Sequence, residues 1–233
     1  MGDFDKRHVV VTGGSGALGT GVVEGLLERG AHVHVPVFLP RELDSFPLRN
    51  HDRVSVRLGL DFTVEETVTK YYGELPACWA SIHIAGGFRM GPFVDTSLDD
   101  FLSLMNQNAV TCFLACREAV RVMQKAGGQG GRIVNVAAKP ALVPTKSMVA
   151  YAASKAVVAS MTQSLAEEVG PEGILVNAVA PSIIDTKRNR AAMPKADHSA
   201  WPTPAQIAKT ILHLASPENE VGRGAVVPVY GRT

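Results

Sequence analysis

Apolar positions along the chain fall into two kinds of run. Short β-branched runs, apolar almost throughout, alternate with longer segments in which apolar residues recur every three or four positions. The first kind predicts buried strands at 8–12 (HVVVT), 31–38 (AHVHVPVF), 54–60 (VSVRLGL), 80–87 (ASIHIAGG), 131–136 (GRIVNV), 174–181 (ILVNAVAP) and 224–231 (GAVVPVYG). The second kind predicts helices. Residues 17–30 place Leu18, Val22, Leu26 and Arg29 at helical spacing and end at Gly30. TVEE (63–66) reads as a capping box that opens a helix to about Tyr72. SLDD (97–100) caps a long helix through about Lys125, and another runs from about Met148 to Val169. TPAQ (203–206) opens a further helix, with Thr203 as cap and Pro204 in the first turn.

Apolar strands separated by helices predict a parallel sheet covered on both faces. Right-handed crossovers then make an α/β, doubly wound, Rossmann-type fold, with 1–233 as a single domain. The long irregular stretch is 181–203, polar and carrying Lys187, Arg188, Arg190 and Lys195. It follows the C-terminal end of a strand, the edge where this architecture binds ligands, and is read as a substrate lid.

Composition narrows the picture. With 46% hydrophobic residues in 233, one sizeable core is expected. Lys+Arg total 23 against 22 Asp+Glu, so no charge excess points to nucleic acid or a membrane surface. No apolar run approaches the roughly 18 residues of a membrane span. The stretch MGDFDKRHVVVTGG has neither the form of a signal peptide nor the Ser/Thr of a myristoylation signal. Cys78, Cys112 and Cys116 form no disulfide framework, which fits a reducing, cytoplasmic setting. Cys112 and Cys116 share a helix face, but no His or Cys pair nearby in sequence completes a metal set, so no metal is expected and they are read as packing residues.

TGGSGALG (12–19) follows the first strand and opens the first helix. Gly13 permits a tight exit from the strand, Gly16 lets the backbone approach a pyrophosphate, and Gly19 lets the helix pack closely. With Ser15, Ala17 and Leu18 they form a candidate dinucleotide turn at a helix N-terminus. A plain glycine turn without ligand is the alternative. The second strand ends VPVFLPRE and lacks the acid that would hold a ribose 2′-OH and repel a 2′-phosphate. Arg41 is a candidate partner for a 2′-phosphate or a solvated surface charge. NADP(H) and NAD(H) both stay open, with a lean to NADP(H). Asp61 and Phe62, closing the third strand, either border an adenine or belong to the turn before the next helix.

Tyr151 and Lys155 sit one helical turn apart on one face, as a phenolic acid and its ammonium partner would. A phenol of pKa near 10 is a modest acid, and a neighbouring ammonium is expected to lower that pKa.

TGGSGALG, IAGG, Asn108, YAASK and PSIIDT stand in the order and spacing of the short-chain dehydrogenases/reductases, and the resemblance spans nearly the whole chain. It implies an NAD(P)H-dependent oxidoreductase in which Tyr151 donates a proton, Lys155 supports it and binds ribose, and Asn108 holds a water between Lys155 and solvent. It also implies that Ile84, Ala85, Gly86 and Gly87 line the cofactor. Thr186, with Pro181 and Ile184 beside it, would hold the nicotinamide carboxamide. Relatives commonly form homo-oligomers, so a dimer or tetramer is implied.

Two departures matter. The family's middle glycine falls on Ala17, and its serine, which bonds the substrate oxygen, falls on Ala138. Losing such a donor costs about 10²–10³ in rate where the oxygen needs it. Thr145 and Ser147 are candidate substitutes. GALG, AGG, AAKPAL and DTKRNRAAMPKADHSAW (185–201) are similar to the dihydropteridine reductase branch, which also works without that serine. That branch reduces a conjugated, imine-like substrate, and hydride transfer to such a C=N group creates no localised alkoxide. A small C=N or C=O substrate, cyclic or conjugated, is therefore expected, with Ala138, Lys139, Thr145, Ser147, Arg190, Met193 and Trp201 as candidate lining. The alternative is a catalytically weak dinucleotide-binding regulatory or scaffold protein. His83, inside a strand, reads as a packed residue.

Overall fold

The computed structural model describes residues 2–127 and 130–233. The β-branched runs form one seven-stranded sheet in the order β3-β2-β1-β4-β5-β6-β7, and every pairing is parallel. The strands are β1 His8–Thr12, β2 His32–Pro36, β3 Val54–Arg57, β4 Ala80–His83, β5 Gly131–Val136, β6 Ile174–Pro181 and β7 Val226–Val229. The helices are α1 Ala17–Glu28, α2 Glu65–Gly73, α3 Leu98–Leu104, α4 Thr111–Lys125, α5 Lys139–Leu142, α6 Val149–Val169, α7 Lys187–Ala192 and α8 Pro204–Ala215. This is the doubly wound Rossmann-type fold, in a single domain.

Successive strand residues face opposite sides, so each side collects its own core. Val9 and Val11 pack with Val33, Val35, Ile82 and Val134 against Leu18, Val22 and Leu26 of α1 and Ile207 and Ile211 of α8. Val10 packs with Ile133 and Val176 on the other side, against Tyr71 and Tyr72 of α2, Ala115 and Met123 of α4, and Val158 of α6. Each fully buried aliphatic side chain of this kind contributes about 1.5–3 kcal/mol.

Several boundaries differ from the periodicity. β2, β3, β4 and β7 are shorter than their apolar runs because pairing stops before hydrophobicity does, and residues 84–87 leave β4 as an extended loop. The capping box at 63–66 is absent. Asp61 accepts from the backbone N–H and hydroxyl of Thr63 at 2.9 and 2.7 Å, so Thr63 is drawn into a turn and α2 begins at Glu65 with Val64 as its uncapped N-cap. Ser97 does cap α3, accepting from the Asp100 N–H at 3.1 Å. The long helix it opens holds a π-helical segment, Met105–Val110, before continuing as α4. Within 181–203, α7 and a 3₁₀ turn at His198–Ala200 replace the expected irregular chain.

Candidate active site

The C-terminal ends of the parallel strands place the candidate residues along one edge of the sheet. Gly13 has φ +66°, and a Cβ there would meet the Ala85 backbone N at 2.8 Å. A side chain at Gly19 would meet the Gly13 carbonyl oxygen at 2.1 Å, so the first turn of α1 lies directly on the loop. Gly16 is the N-cap of α1 and has no side-chain cap, and the first turn carries no acid. Gly16 and Ala17 are exposed, whereas Ser15 and Leu18 are buried. The turn thus offers free N–H groups and the positive helix end, with no carboxylate to oppose an anion. The Thr12 hydroxyl accepts from the Ala85 N–H at 3.3 Å and ties the turn to the loop after β4.

That loop lies against Asn108, which sits in the π-helical segment. Its amide oxygen accepts from the Gly87 N–H at 2.9 Å, and its nitrogen donates to the Gly87 carbonyl and the Ser154 hydroxyl, each at 3.0 Å. Ser154 donates in turn to the Tyr151 carbonyl at 2.8 Å. Gly86 must be glycine, because a Cβ there would meet the Asn108 amide oxygen at 2.3 Å and Lys155 Nζ at 3.4 Å. The Asn108 side chain therefore clamps the loop to α6. The π turn accommodates an extra residue and takes backbone groups out of the regular helical ladder, a distortion frequent at functional sites.

Tyr151 and Lys155 share a face of α6, as their spacing predicts. Lys155 is buried and its ammonium donates to the Val136 carbonyl at 2.7 Å. Burial lowers the Lys155 pKa to about 8, with Cys112 opposing that shift. The Tyr151 hydroxyl has no protein hydrogen-bond partner among the described residues. Its pKa is not lowered, as the neighbouring ammonium was expected to make it. Burial instead raises it to about 12, while the Lys155 head group is held at Val136. A phenol in this state is a proton donor at neutral pH.

Ala138 is buried and extended, with Ala137 behind it, so the position offers no hydroxyl. The Thr145 hydroxyl donates to the Val143 carbonyl at 3.1 Å, and Ser147, with φ +61°, lines a cavity of about 210 Å³ with Arg89, Met90 and Asp100. Lys139 lies 5.1 Å from the Tyr230 ring centre. Phe88, which the sequence did not single out, is exposed and sits edge-on to the Tyr151 ring at 4.9 Å. Its signal was an aromatic residue directly after a glycine pair at a strand end.

Among the remaining candidates, the Phe62 ring is buried against Tyr71 and Tyr72, which leaves only its backbone for a ligand. Asp61 serves the turn at Thr63. Arg41 is exposed in a 3₁₀ turn, Pro40–Leu43, just after β2. Pro181 closes β6, and the Ile184 carbonyl accepts from the Asn189 side chain at 2.8 Å. Thr186 caps α7, accepting from the Asn189 N–H at 3.2 Å. Arg190 forms a two-pronged pair with Asp185 at 2.5 and 2.7 Å, which occupies it within the segment. Trp201 is buried beside the His198 ring, 4.6 Å away, and His198 Nε2 donates to the Met193 carbonyl at 2.8 Å. The tail fastens the same segment, Arg232 donating to the Ala200 and Ser199 carbonyls at 2.8 and 2.9 Å.

Comparison with known proteins agrees with this architecture. The short chain dehydrogenase family profile matches residues 7–197. An NAD-dependent glycerol dehydrogenase of Listeria innocua is 31% identical over 199 residues, covering 81% of this chain and 77% of the relative. A cyclic-di-GMP-binding biofilm dispersal mediator protein of Escherichia coli is 28% identical, covering 99% and 98%. Among solved structures, a variant of ElxO with NADPH bound superposes with TM-score 0.86 at 25% identity, covering 97% of this chain and 98% of that one. The chain belongs to the short chain dehydrogenase family. It is an oxidoreductase with an NAD(P)-binding fold, in a family of NAD(P)-dependent dehydrogenases and reductases.

Proposed function

We propose that the protein reduces a C=N or C=O group in a small, cyclic or conjugated substrate, with Tyr151 as the proton donor and NADPH preferred to NADH. The observation that carries this reading is the pairing of an unpartnered, protonated Tyr151 with the methyl group of Ala138. An alkoxide forming on a simple ketone would find only one donor there. A substrate whose new charge spreads over a ring, or whose reacting atom is nitrogen, needs no second donor. The exposed Phe88 ring beside Tyr151 supplies an aromatic wall that suits a flat substrate. The likeness of AAKPAL and of 185–201 to the dihydropteridine reductase branch supports the same substrate class.

The residues fit a nicotinamide dinucleotide. The exposed Gly16–Ala17 backbone and the acid-free first turn of α1 would take the pyrophosphate, and the cradle at Gly86 against Lys155 would take the ribose. Thr186 and Ile184 would face the carboxamide from the segment that closes over the edge. When bound, the cofactor supplies hydride. Lys155 would orient it and pass a proton back to the phenolate that Tyr151 becomes, while Asn108 keeps the β4 loop in place. Arg41, with no acid at the end of β2, supports the NADPH preference.

A cytoplasmic homo-oligomer belongs to this reading. Its support is three free buried cysteines and the exposed Leu98, Leu102, Phe113 and Val157 along the long helices. No helix among the described residues is long and apolar enough to cross a membrane.

The test is NADPH and NADH oxidation against quinonoid dihydropterin, cyclic imines and simple ketones. Turnover of the pterin or imines, with ketones slower by 10² or more, is the expected result. Tight cofactor binding with no turnover of any substrate would instead favour a regulatory dinucleotide binder, the reading that Ala138 and the Escherichia coli relative lean towards.

A further inference from the structure

Away from the catalytic edge, the core between the sheet and α4 gathers donor atoms that the proposed reaction does not use. Cys112 and Cys116 point from α4 towards β4 and β5, where His83 and Asn135 stand side by side. All four are buried, at 5%, 2%, 4% and 0% exposure. The His83 Nδ1 and both sulfurs lie within 4.8 Å of one another. Cys116 Sγ is 4.0 Å from Cys112 Sγ, 3.4 Å from His83 Nδ1 and 3.4 Å from Asn135 Oδ1. For zinc, metal–sulfur bonds near 2.3 Å and metal–nitrogen bonds near 2.0 Å set tetrahedral edges of about 3.5–3.8 Å. Three edges of the cluster are already within about half an ångström of those values. Of the other three edges, His83 Nδ1 to Asn135 Oδ1 is closed to 2.8 Å by a hydrogen bond and opens when that proton leaves, and Cys112 Sγ to His83 Nδ1 lies within 4.8 Å.

We propose that His83, Cys112 and Cys116 bind one divalent zinc-class ion, with the Asn135 carbonyl oxygen at the fourth corner. The donor set is two sulfurs, one imidazole and one oxygen in tetrahedral reach, which selects zinc over harder cations. Charge balance favours it: two thiolates and a divalent ion sum to zero, so no net charge is buried. Both thiol protons and the Nδ1 proton leave the site, and Nε2 takes up one to become the donor to Ser81. The outer shell is in place for this, since His83 Nε2 is 2.8 Å from the Ser81 hydroxyl, which is 2.7 Å from the Tyr72 hydroxyl. Such a partner on the far nitrogen fixes the ring of a ligating histidine. Buried thiols need no partner. What points to a metal is their convergence with a carbonyl oxygen and with an imidazole whose far nitrogen is held by the Ser81 hydroxyl. Sequence alone concealed the set, because His83 lies on a strand far from the cysteine pair.

A site this enclosed fills during folding, so the test refolds the untagged chain under reductant with cobalt(II), followed by zinc(II) competition. The expected result is one cobalt per chain, a thiolate-to-cobalt charge-transfer absorption, its loss on adding zinc, and a higher Tm for the loaded protein. Cys112→Ala and Cys116→Ala should each abolish that absorption, and Cys78→Ala should keep it. Circular dichroism reports folding of each variant, and the unmutated chain decides the matter even if a variant fails to fold. A refolded, native-like chain without stoichiometric metal would overturn the proposal. So would an absorption that survives both cysteine substitutions.

Discussion

Asn108 pairs with both backbone groups of Gly87, at 2.9 and 3.0 Å, and through Ser154 reaches the backbone of Tyr151. One side chain thus sets the distance between the loop after β4 and the helix bearing the phenol. Asn108→Ala leaves those groups without partners and should cost about 1–3 kcal/mol of stability. Urea unfolding measures that cost, and a loss of kcat beyond the change in folded fraction reports the displaced loop. A variant as stable and as active as the parent would remove Asn108 from this role.

Tyr151→Phe keeps the ring that meets Phe88 edge-on and deletes only the hydroxyl. Turnover should fall by about 10²–10⁴, the usual range for a general acid. NADPH affinity, read by fluorescence titration, should change less than threefold. Retained turnover would mean that the proton comes from elsewhere.

Ala138→Ser supplies a hydroxyl at the position where the resemblance to the family places a serine. Reduction of simple ketones should rise by about 10²–10³ in kcat/KM. Reduction of an imine or pterin should barely move. An equal gain on both substrates would contradict the assignment of Ala138 to a substrate without a localised alkoxide.

Arg41→Ala should raise the KM for NADPH about tenfold and leave that for NADH unchanged, because only the former carries a 2′-phosphate. Steady-state assays with both cofactors decide this, and an equal effect on the two would return Arg41 to the solvated surface.

Acid sensitivity should come from the opposite edge of the sheet. His34 Nε2 is 2.9 Å from His8 Nδ1, and the His8 ring also stacks on His32. Burial, then His8 and His32, lowers the His34 pKa to about 4. An unfolded histidine titrates near 6.5, so between these values the unfolded chain binds the extra proton. The stability contributed by neutral His34 is present above pH 6.5 and is lost as pH falls towards 4. Melting curves at intervals across that window should show the decline, and His34→Gln should flatten it.

Much of the fold was legible because its signals are local. β-branched runs, the glycine turn, Ser97 as a cap and the four-residue spacing of Tyr151 and Lys155 are each written within a few residues. Errors arose where two local choices competed. Thr63 looked like a cap, but Asp61 two residues earlier holds it in a turn. The ammonium of Lys155 was expected to acidify Tyr151, and burial with a bond to Val136 outweighs it. What stayed hidden depends on pairings distant in sequence: Phe88 on Tyr151, Asn108 on Gly87, and His83 on the cysteine pair.

The π segment at Met105–Val110 also has a rotational meaning. One residue more than a regular helix turns everything downstream by about 100°. With it, Asn108 meets the β4 loop while Cys112, Ala115 and Ala119 still face the sheet. Deleting a single residue there would restore an unbroken α-helix and force a choice, since either the clamp or the buried face of α4 would swing towards solvent. The irregular turn acts as a phase adjuster between two faces that a perfect helix cannot serve together.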